Sequence, residues 1–422
     1  MPDSKRETVC FVFTKQFPFG IQEAYLLDEA PFLAQYFDRV VYVPHAEFRF
    51  EEKELRIELN EKIQVLNVNT QLPQLGVFAR IRCLGPILYI LLYDWFTSRE
   101  RMKTFGRLYQ NTMRLMHYSA SASVLKKALG SSTEAVKVFY HYWLHDGLII
   151  QKLAQGVTQP NVGYTIARAH SLDLYHKNWP LRSYLAYERV KINMCDTVAS
   201  ISRHGWEHLV QTFPALQEKF VHRSLGVQDV GLPAVNQGHT EPLIVTVSWI
   251  TQLKRLDRVL ALMKALPRSF RWVHIGSGDE KILAAIRAEA EQSGVAFEAK
   301  GYLSKPAVYR FFQENQVTFF CNMSVWEGVP VSLMEAAMLG VPMIVSDIPG
   351  NKEVVDDENG WVVSGEDWSE QIVREIVNAY EQPNIWRSMS QAARATFDLK
   401  YNAKKNYTSF YEDILLRASL RE

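Results

Sequence analysis

Short apolar runs rich in Val, Ile, Phe and Thr alternate along this chain with longer amphipathic stretches. That alternation predicts an α/β protein with parallel sheets, each strand followed by a crossover helix. Residues 9–14, 39–43, 136–140, 162–166 and 197–200 read as strands of a first series, with a helix over 22–36. A second series occupies 243–247, 272–275, 317–321 and 343–345. Between the two lies 227–242, polar and punctuated by Gly231, Pro233, Gly238 and Pro242, which reads as a linker. Each series suits a Rossmann-type domain, where ligands collect at the carboxyl ends of the strands. The closing stretch repeats Tyr407, Phe410, Tyr411, Ile414 and Leu415 at three- and four-residue steps, so one helical face must be buried. Periodicity does not choose between the two domains as its partner.

Composition narrows the class. A chain of 422 residues, 47% hydrophobic and 22% charged, has the make-up of an ordinary globular protein of two or three domains. Its net charge of +1 argues against a nucleic-acid binder that works through bulk charge. Cys10, Cys83, Cys195 and Cys321 are scattered, with no metal-binding spacing, as expected of free thiols in a reducing compartment. The polar start (Met1 to Thr8) has no signal-peptide core. The apolar run 84–92 is broken by Gly85 and Pro86 and is too short to span a bilayer. A cytoplasmic protein is expected.

The most informative segment is Trp326-Glu327-Gly328-Val329-Pro330-Val331-Ser332-Leu333-Met334-Glu335. Its glycine and proline form a turn, with Pro330 suited to the first position of a helix over 331–339 that Gly340 stops. Glu327 then stands just ahead of a helix N-terminus and Glu335 more than a turn inside it. Bare N–H groups and the positive end of the helix dipole make such a start a seat for a diphosphate. Carboxylates on either side can hold the hydroxyls of a sugar and a ribose. Elsewhere, Gly276-Ser277-Gly278 follows a strand, and its glycines permit close backbone approach.

The block Glu327…Glu335, Gly340-Val341-Pro342, Gly350-Asn351-Lys352-Glu353 and Asn359-Gly360 resembles the retaining enzymes of glycosyltransferase family 4. The resemblance implies the GT-B architecture, two Rossmann-like domains facing each other across a cleft. Residues 1–227 would serve the acceptor, and residues 228–399 the nucleotide-sugar donor. The last helix, about 400–422, would pack back on the first domain. Lys254, at the end of a strand-loop segment, would meet the diphosphate. The family commonly has Gly-Arg where this chain has Ser248-Trp249, so Arg255 or the helix start would replace the missing cation. Gly276 and Gly278 would line the nucleotide, and Gly301-Tyr302-Leu303 its base. In the first domain, Gly20 would give a donor-facing loop its freedom, while Glu23 would meet the acceptor or cap a helix. Arg168-Ala169-His170-Ser171-Leu172-Asp173 matches an Arg-x-His-x-x-Asp segment. It would place Arg168 and His170 by the donor, while Asp173 would hold the loop or meet the acceptor. Arg203 and the His141-Tyr142-Trp143 run have weaker claims.

The reading that follows is a retaining glycosyltransferase. It would move a hexose-type sugar from a nucleoside diphosphate to a carbohydrate or lipid-linked acceptor in surface-polysaccharide assembly. His170, Lys254 and Glu327 would be catalytic. Gly328 and Val331 would offer N–H groups to the leaving group, and Glu335 would hold the ribose. No metal is expected, since there is no Asp-x-Asp. A sugar-nucleotide epimerase, a glycosyl phosphorylase or a binding module that has lost catalysis are the alternatives. A basic, aromatic-bearing segment between Arg80 and Arg114 either packs as ordinary helices or rests on anionic lipid.

Overall fold

The computed structural model describes residues 6–20, 23–45, 55–68, 77–97, 107–129, 135–159, 162–175, 187–230, 241–365 and 368–421, with only the backbone of residues 24 and 77–83. Two units emerge: Met1–Arg223 with Tyr407–Glu422, and Ser224–Asn406. The first holds β1 (Thr8–Thr14), β2 (Arg39–Pro44), β3 (Ile63–Val65), β4 (Val136–His141), β5 (Tyr164–Ala169), β6 (Thr197–Ser200) and β7 (Phe220–His222). They pair in parallel in the order β3-β2-β1-β4-β5-β6-β7, with Val12 opposite both Tyr42 and Tyr140. The second holds β8 (Leu243–Val247), β9 (Arg271–Ile275), β10 (Ala296–Ala299), β11 (Phe319–Asn322), β12 (Met343–Ser346) and β13 (Gly360–Val363). Their order is β10-β9-β8-β11-β12-β13, again parallel.

Both units are therefore Rossmann-like. Their central strands are buried at nearly every position, as in a parallel sheet covered by helices on both faces. In each sheet the chain first winds to one side and then returns to the other. The reversal falls between β1 and β4 in the first unit and between β8 and β11 in the second. A crevice at the strand ends is expected at such a reversal.

Several elements differ from the sequence reading. The helix expected over 22–36 is instead a single 3-10 turn, Ala24–Leu27, and a separate helix, Ala30–Tyr36. Pro31 explains the break. It lacks an N–H and disfavours helical backbone at the residue before it, so it is tolerated only in a first turn. The strand expected at 162–166 runs from Tyr164 to Ala169. The short strands β3 and β7 carry too few residues for alternation to reveal them. Most of the expected linker, 231–240, lies outside the described residues. Cys10, Cys195 and Cys321 are free and buried. No helix among the described residues is long and apolar enough to cross a membrane.

The closing helix, Ala403–Leu420, contributes Tyr407, Phe410, Tyr411 and Ile414 to the interior, and from Tyr407 on it belongs to the first unit. Its Tyr411 hydroxyl donates to Glu29, whose carboxylate is fully buried. The same Glu29 oxygen accepts from Tyr140 at 2.8 Å and faces the Arg168 guanidinium at 3.4 Å. Arg168 Nε donates to the Tyr140 hydroxyl at 2.6 Å and Nη1 to the Arg223 carbonyl at 3.0 Å, with the Phe410 ring 4.1 Å away. This corrects the donor-binding role expected of Arg168. Its side chain is wholly enclosed, and its charge is spent within the core.

Removing one member of a buried ion pair strands the other without solvent or counter-charge. Arg168→Met should therefore cost about 3–5 kcal/mol of stability in a denaturant titration. Tyr411→Phe, which deletes one hydrogen bond to a charged group, should cost about 1.5–3 kcal/mol. A melting profile of Arg168→Met identical to the parent would contradict this assignment.

Candidate functional site

The second unit gathers its chemistry at the reversal between β8 and β11. The loop after β8 tightens into a 3-10 turn, Gln252–Lys254, and Arg255 follows in the left-handed region at φ 48°. Val325 N donates to the Leu253 carbonyl at 2.8 Å and ties this loop to the one after β11. The Lys254 ammonium consequently lands on the Glu327 carboxylate as a partly buried ion pair. A small recess lies beside it, lined by Thr246, Ser248, Lys254, Asn322, Met323 and Ser324 among others. Ser324 is fully buried, and its hydroxyl has no partner among the described residues.

Glu327 leads into the helix Val331–Met338. Pro330 occupies the capping position, one residue earlier than expected, and its carbonyl accepts from Leu333 and Met334. The N–H groups of Val331 and Ser332 thus belong to the first turn, where no intrahelical acceptor exists. Gly328, Val331 and Ser332 are all partly exposed, so solutes reach the helix start. Packing holds the Gly328 turn in place: a methyl group on Gly350 would stand 2.1 Å from the Gly328 carbonyl oxygen.

Further along the helix, Glu335 accepts from the Tyr309 hydroxyl at 3.1 Å and pairs with Lys305 at 3.0 Å. Both partners lie on one face of the helix Lys305–Asn315. Sequence reasoning named neither. The signal was present in Pro306, which marks a helix start, with Lys305 and Tyr309 four residues apart.

Other expected residues have structural work in this fold. Arg255, expected as a phosphate cation, pairs with Asp257, with Nε 3.0 Å from both carboxylate oxygens and Nη2 2.8 Å from one. Gly276 and Gly278 sit against the loop after β8. Added methyls would stand 1.9 Å from the Ser248 carbonyl oxygen and 2.3 Å from that of Ile250. These glycines are explained by two loops packing backbone to backbone. Trp249 and Tyr302 are exposed and stack with ring centres 6.4 Å apart.

The first unit satisfies its strand-end polar groups internally. Glu23 is buried and accepts from the Gln16 and Phe17 N–H groups at 2.7 and 2.8 Å and from Trp143 Nε1 at 2.6 Å. The expected acceptor or helix-cap role is thereby corrected, because its lone pairs are used to close the loop after β1. Gly20 turns that loop at φ +63°. Asp173 is buried and accepts from the His170 and Leu144 N–H groups at 3.0 and 3.3 Å, so of its two expected roles it holds the loop. His170 Nε2 lies 2.8 Å from the Tyr142 carbonyl oxygen and must donate to it. Burial, helped by the Arg168 charge, pushes the His170 pKa down to about 3, so its ring is neutral at physiological pH. Arg203 is exposed and pairs with Glu207 at 3.3 Å.

Comparison with known proteins places this geometry. Residues 233–396 match the family model described as Glycosyl transferases group 1. That stretch contains Lys254, Glu327, Glu335 and the recess. Among curated relatives, the O-antigen biosynthesis glycosyltransferase WbnH of Escherichia coli is 22% identical over 223 residues, 53% of this chain and 60% of the relative. The amylovoran biosynthesis glycosyltransferase AmsK of Erwinia amylovora is 24% identical over 211 residues, 47% of this chain and 49% of the relative. The chain thus spans about half to three-fifths of these relatives' length. Among solved structures, Anabaena Alr3699/HepE in complex with UDP and glucose gives a TM-score of 0.64 at 12% identity, covering 97% of this chain and 99% of that one. The lipopolysaccharide outer core galactosyltransferase WaaB gives 0.61 at 12% identity over 97% and 99%. At that identity the likeness is one of fold, two Rossmann-like domains of the GT-B type.

Gly276→Ala should cost more than about 1 kcal/mol, since it combines a positive φ of 142° with a clash on backbone. A denaturant titration measures it, and an unchanged midpoint would contradict the packing account. Burial also lowers the pKa of His141 to about 3 and of His274 to about 4. With His170, these rings stay neutral in the fold but take up protons near pH 6.5 once unfolded. Stability should therefore be full above about pH 6.5 and fall as pH drops toward 4, by about 1.4 kcal/mol per pH unit for each histidine. A flat unfolding midpoint across that window would contradict it.

Proposed function

We propose that the chain is a retaining glycosyltransferase whose second unit holds a nucleoside diphosphate sugar. The sugar would pass to a carbohydrate or lipid-linked acceptor during assembly of a surface polysaccharide. The observation that carries this reading is the Lys254–Glu327 pair, set at the start of the helix Val331–Met338 and beside the recess between β8 and β11. The family match over the same residues supports it, as do relatives named for O-antigen and amylovoran biosynthesis. Neighbours of like fold solved with UDP and a sugar support the donor class.

In this reading the diphosphate settles at the exposed helix start beside the recess, takes hydrogen bonds from the N–H groups of Gly328, Val331 and Ser332, and draws Lys254 from its carboxylate. Preorganised donors aimed at developing charge are worth most in a site partly shielded from water. Glu327, released from its cation, then accepts hydroxyls of the transferred sugar. Glu335, steadied by Lys305 and Tyr309, accepts those of the ribose. As the bond from the anomeric carbon to the diphosphate oxygen breaks, the acceptor hydroxyl oxygen bonds to that carbon on the same face. Its proton passes to the departing diphosphate oxygen. No protein nucleophile and no metal are invoked. His170 acts as a neutral, fixed ring and not as a proton carrier, in keeping with its depressed pKa.

A calorimetric panel of nucleoside diphosphate sugars tests the proposal. Lys254→Met should weaken donor binding about tenfold or more, the loss of one charge-assisted contact of about 1.5–3 kcal/mol. Glu327→Gln should lower turnover far more than binding of the free nucleoside diphosphate. Equal donor affinity in the parent and Lys254→Met would remove the recess from the mechanism.

A further inference from the structure

We propose that the helix Val77–Thr97, with the start of the helix Leu108–Leu129, is a docking surface for an anionic lipid bilayer. On its inner side the first helix buries Ile87, Ile90, Leu91 and even Asp94. From Leu84 onward its exposed positions are Leu84, Gly85, Leu88, Tyr89, Leu92 and Phe96, without one charged side chain. At about 100° per residue these fall on a single arc of roughly 140°. Leu88 is 57% and Phe96 66% exposed. The two helices pack against each other, and the second adds Tyr109, 77% exposed, and Met113. A contiguous apolar face of this kind, unbroken by a charge, marks an interaction site.

Charge selects the occupant. Residues 77–114 carry seven Lys and Arg against two acidic residues, a net +5 in a chain whose total is +1. Of the two acids, Asp94 is buried, while Arg107 and Arg114 are exposed beside Tyr109 and Met113. Arg80, Arg82, Arg99, Arg101 and Lys103 contribute to that charge but their side chains lie outside the described residues. A second copy of the chain would bring two positive faces together. An anionic headgroup layer neutralises the charge and accepts the apolar ridge in one step, as interfacial helices do. The inference does not depend on the donor chemistry, although a lipid-linked acceptor would give it a purpose.

Vesicle co-sedimentation tests it. The probes are vesicles of phosphatidylcholine alone and vesicles with about a third phosphatidylglycerol. The parent protein should bind the anionic vesicles at least about tenfold more tightly, less so at high salt. Leu88→Ser/Leu92→Ser/Phe96→Ser should lose that binding while still folding cooperatively by circular dichroism, because the replaced side chains are largely exposed. Arg107→Glu/Arg114→Glu should weaken it several-fold on anionic vesicles only. Parent protein that ignores both vesicles, or a triple variant that binds as well as the parent, overturns the proposal. So does a dimer that the triple variant dissociates, which would assign the face to a second copy. Donor affinity measured alongside should be the same in the triple variant. Its loss in the parent would count against the transferase reading and leave the bilayer surface untouched.

Discussion

The second unit depends on backbone meeting backbone without intervening side chains. Two loops that follow neighbouring strands lie so close that Gly276 and Gly278 admit no methyl group, and the Gly328 turn presses on Gly350 in the same way. Those contacts fix the loop after β8 and the turn before the helix Val331–Met338. Lys254 and Glu327 are brought together as a consequence. The ion pair is worth little to stability at its partial exposure. Its value is positional: it keeps a cation and a carboxylate facing each other at a helix start until a stronger anion arrives.

The first unit uses its polar residues differently. At the ends of β1, β4 and β5, where a Rossmann-like unit would offer groups to a ligand, Glu23, Asp173 and His170 are turned on the protein's own backbone. Glu29 and Arg168 are buried deeper and bind the closing helix through Tyr411. Charge in this unit braces loops and holds the last helix. In the second unit, charge stands at a solvent-reached edge, which is why the functional proposal rests there.

The fold was largely legible in the sequence because buried parallel strands read as continuous apolar runs, and nine of them stand out in this way. The misses have physical causes. Pro31 divides a helix whose apolar spacing looked unbroken. The strands β3 and β7 span three residues each, too short for periodicity to register. At the site, Glu327, Lys254 and the helix start were legible because glycine and proline punctuate them. Arg168 and Glu23 were misread, and the two roles of Asp173 stayed open, since residue type and spacing do not say whether a side chain already has a partner. Ser324, Lys305 and Tyr309 were missed because each gains its place only through tertiary contact.

Hydrogen–deuterium exchange with uridine or guanosine diphosphate examines the central claim at single-turn resolution. First-turn amides of the helix Val331–Met338 lack intrahelical acceptors and should exchange quickly in the free protein. On binding the diphosphate, protection should appear across Gly328 to Ser332 and at the Lys254 turn. Saturating binding that leaves those amides as fast as before, with protection elsewhere, would contradict a diphosphate seat at this helix start.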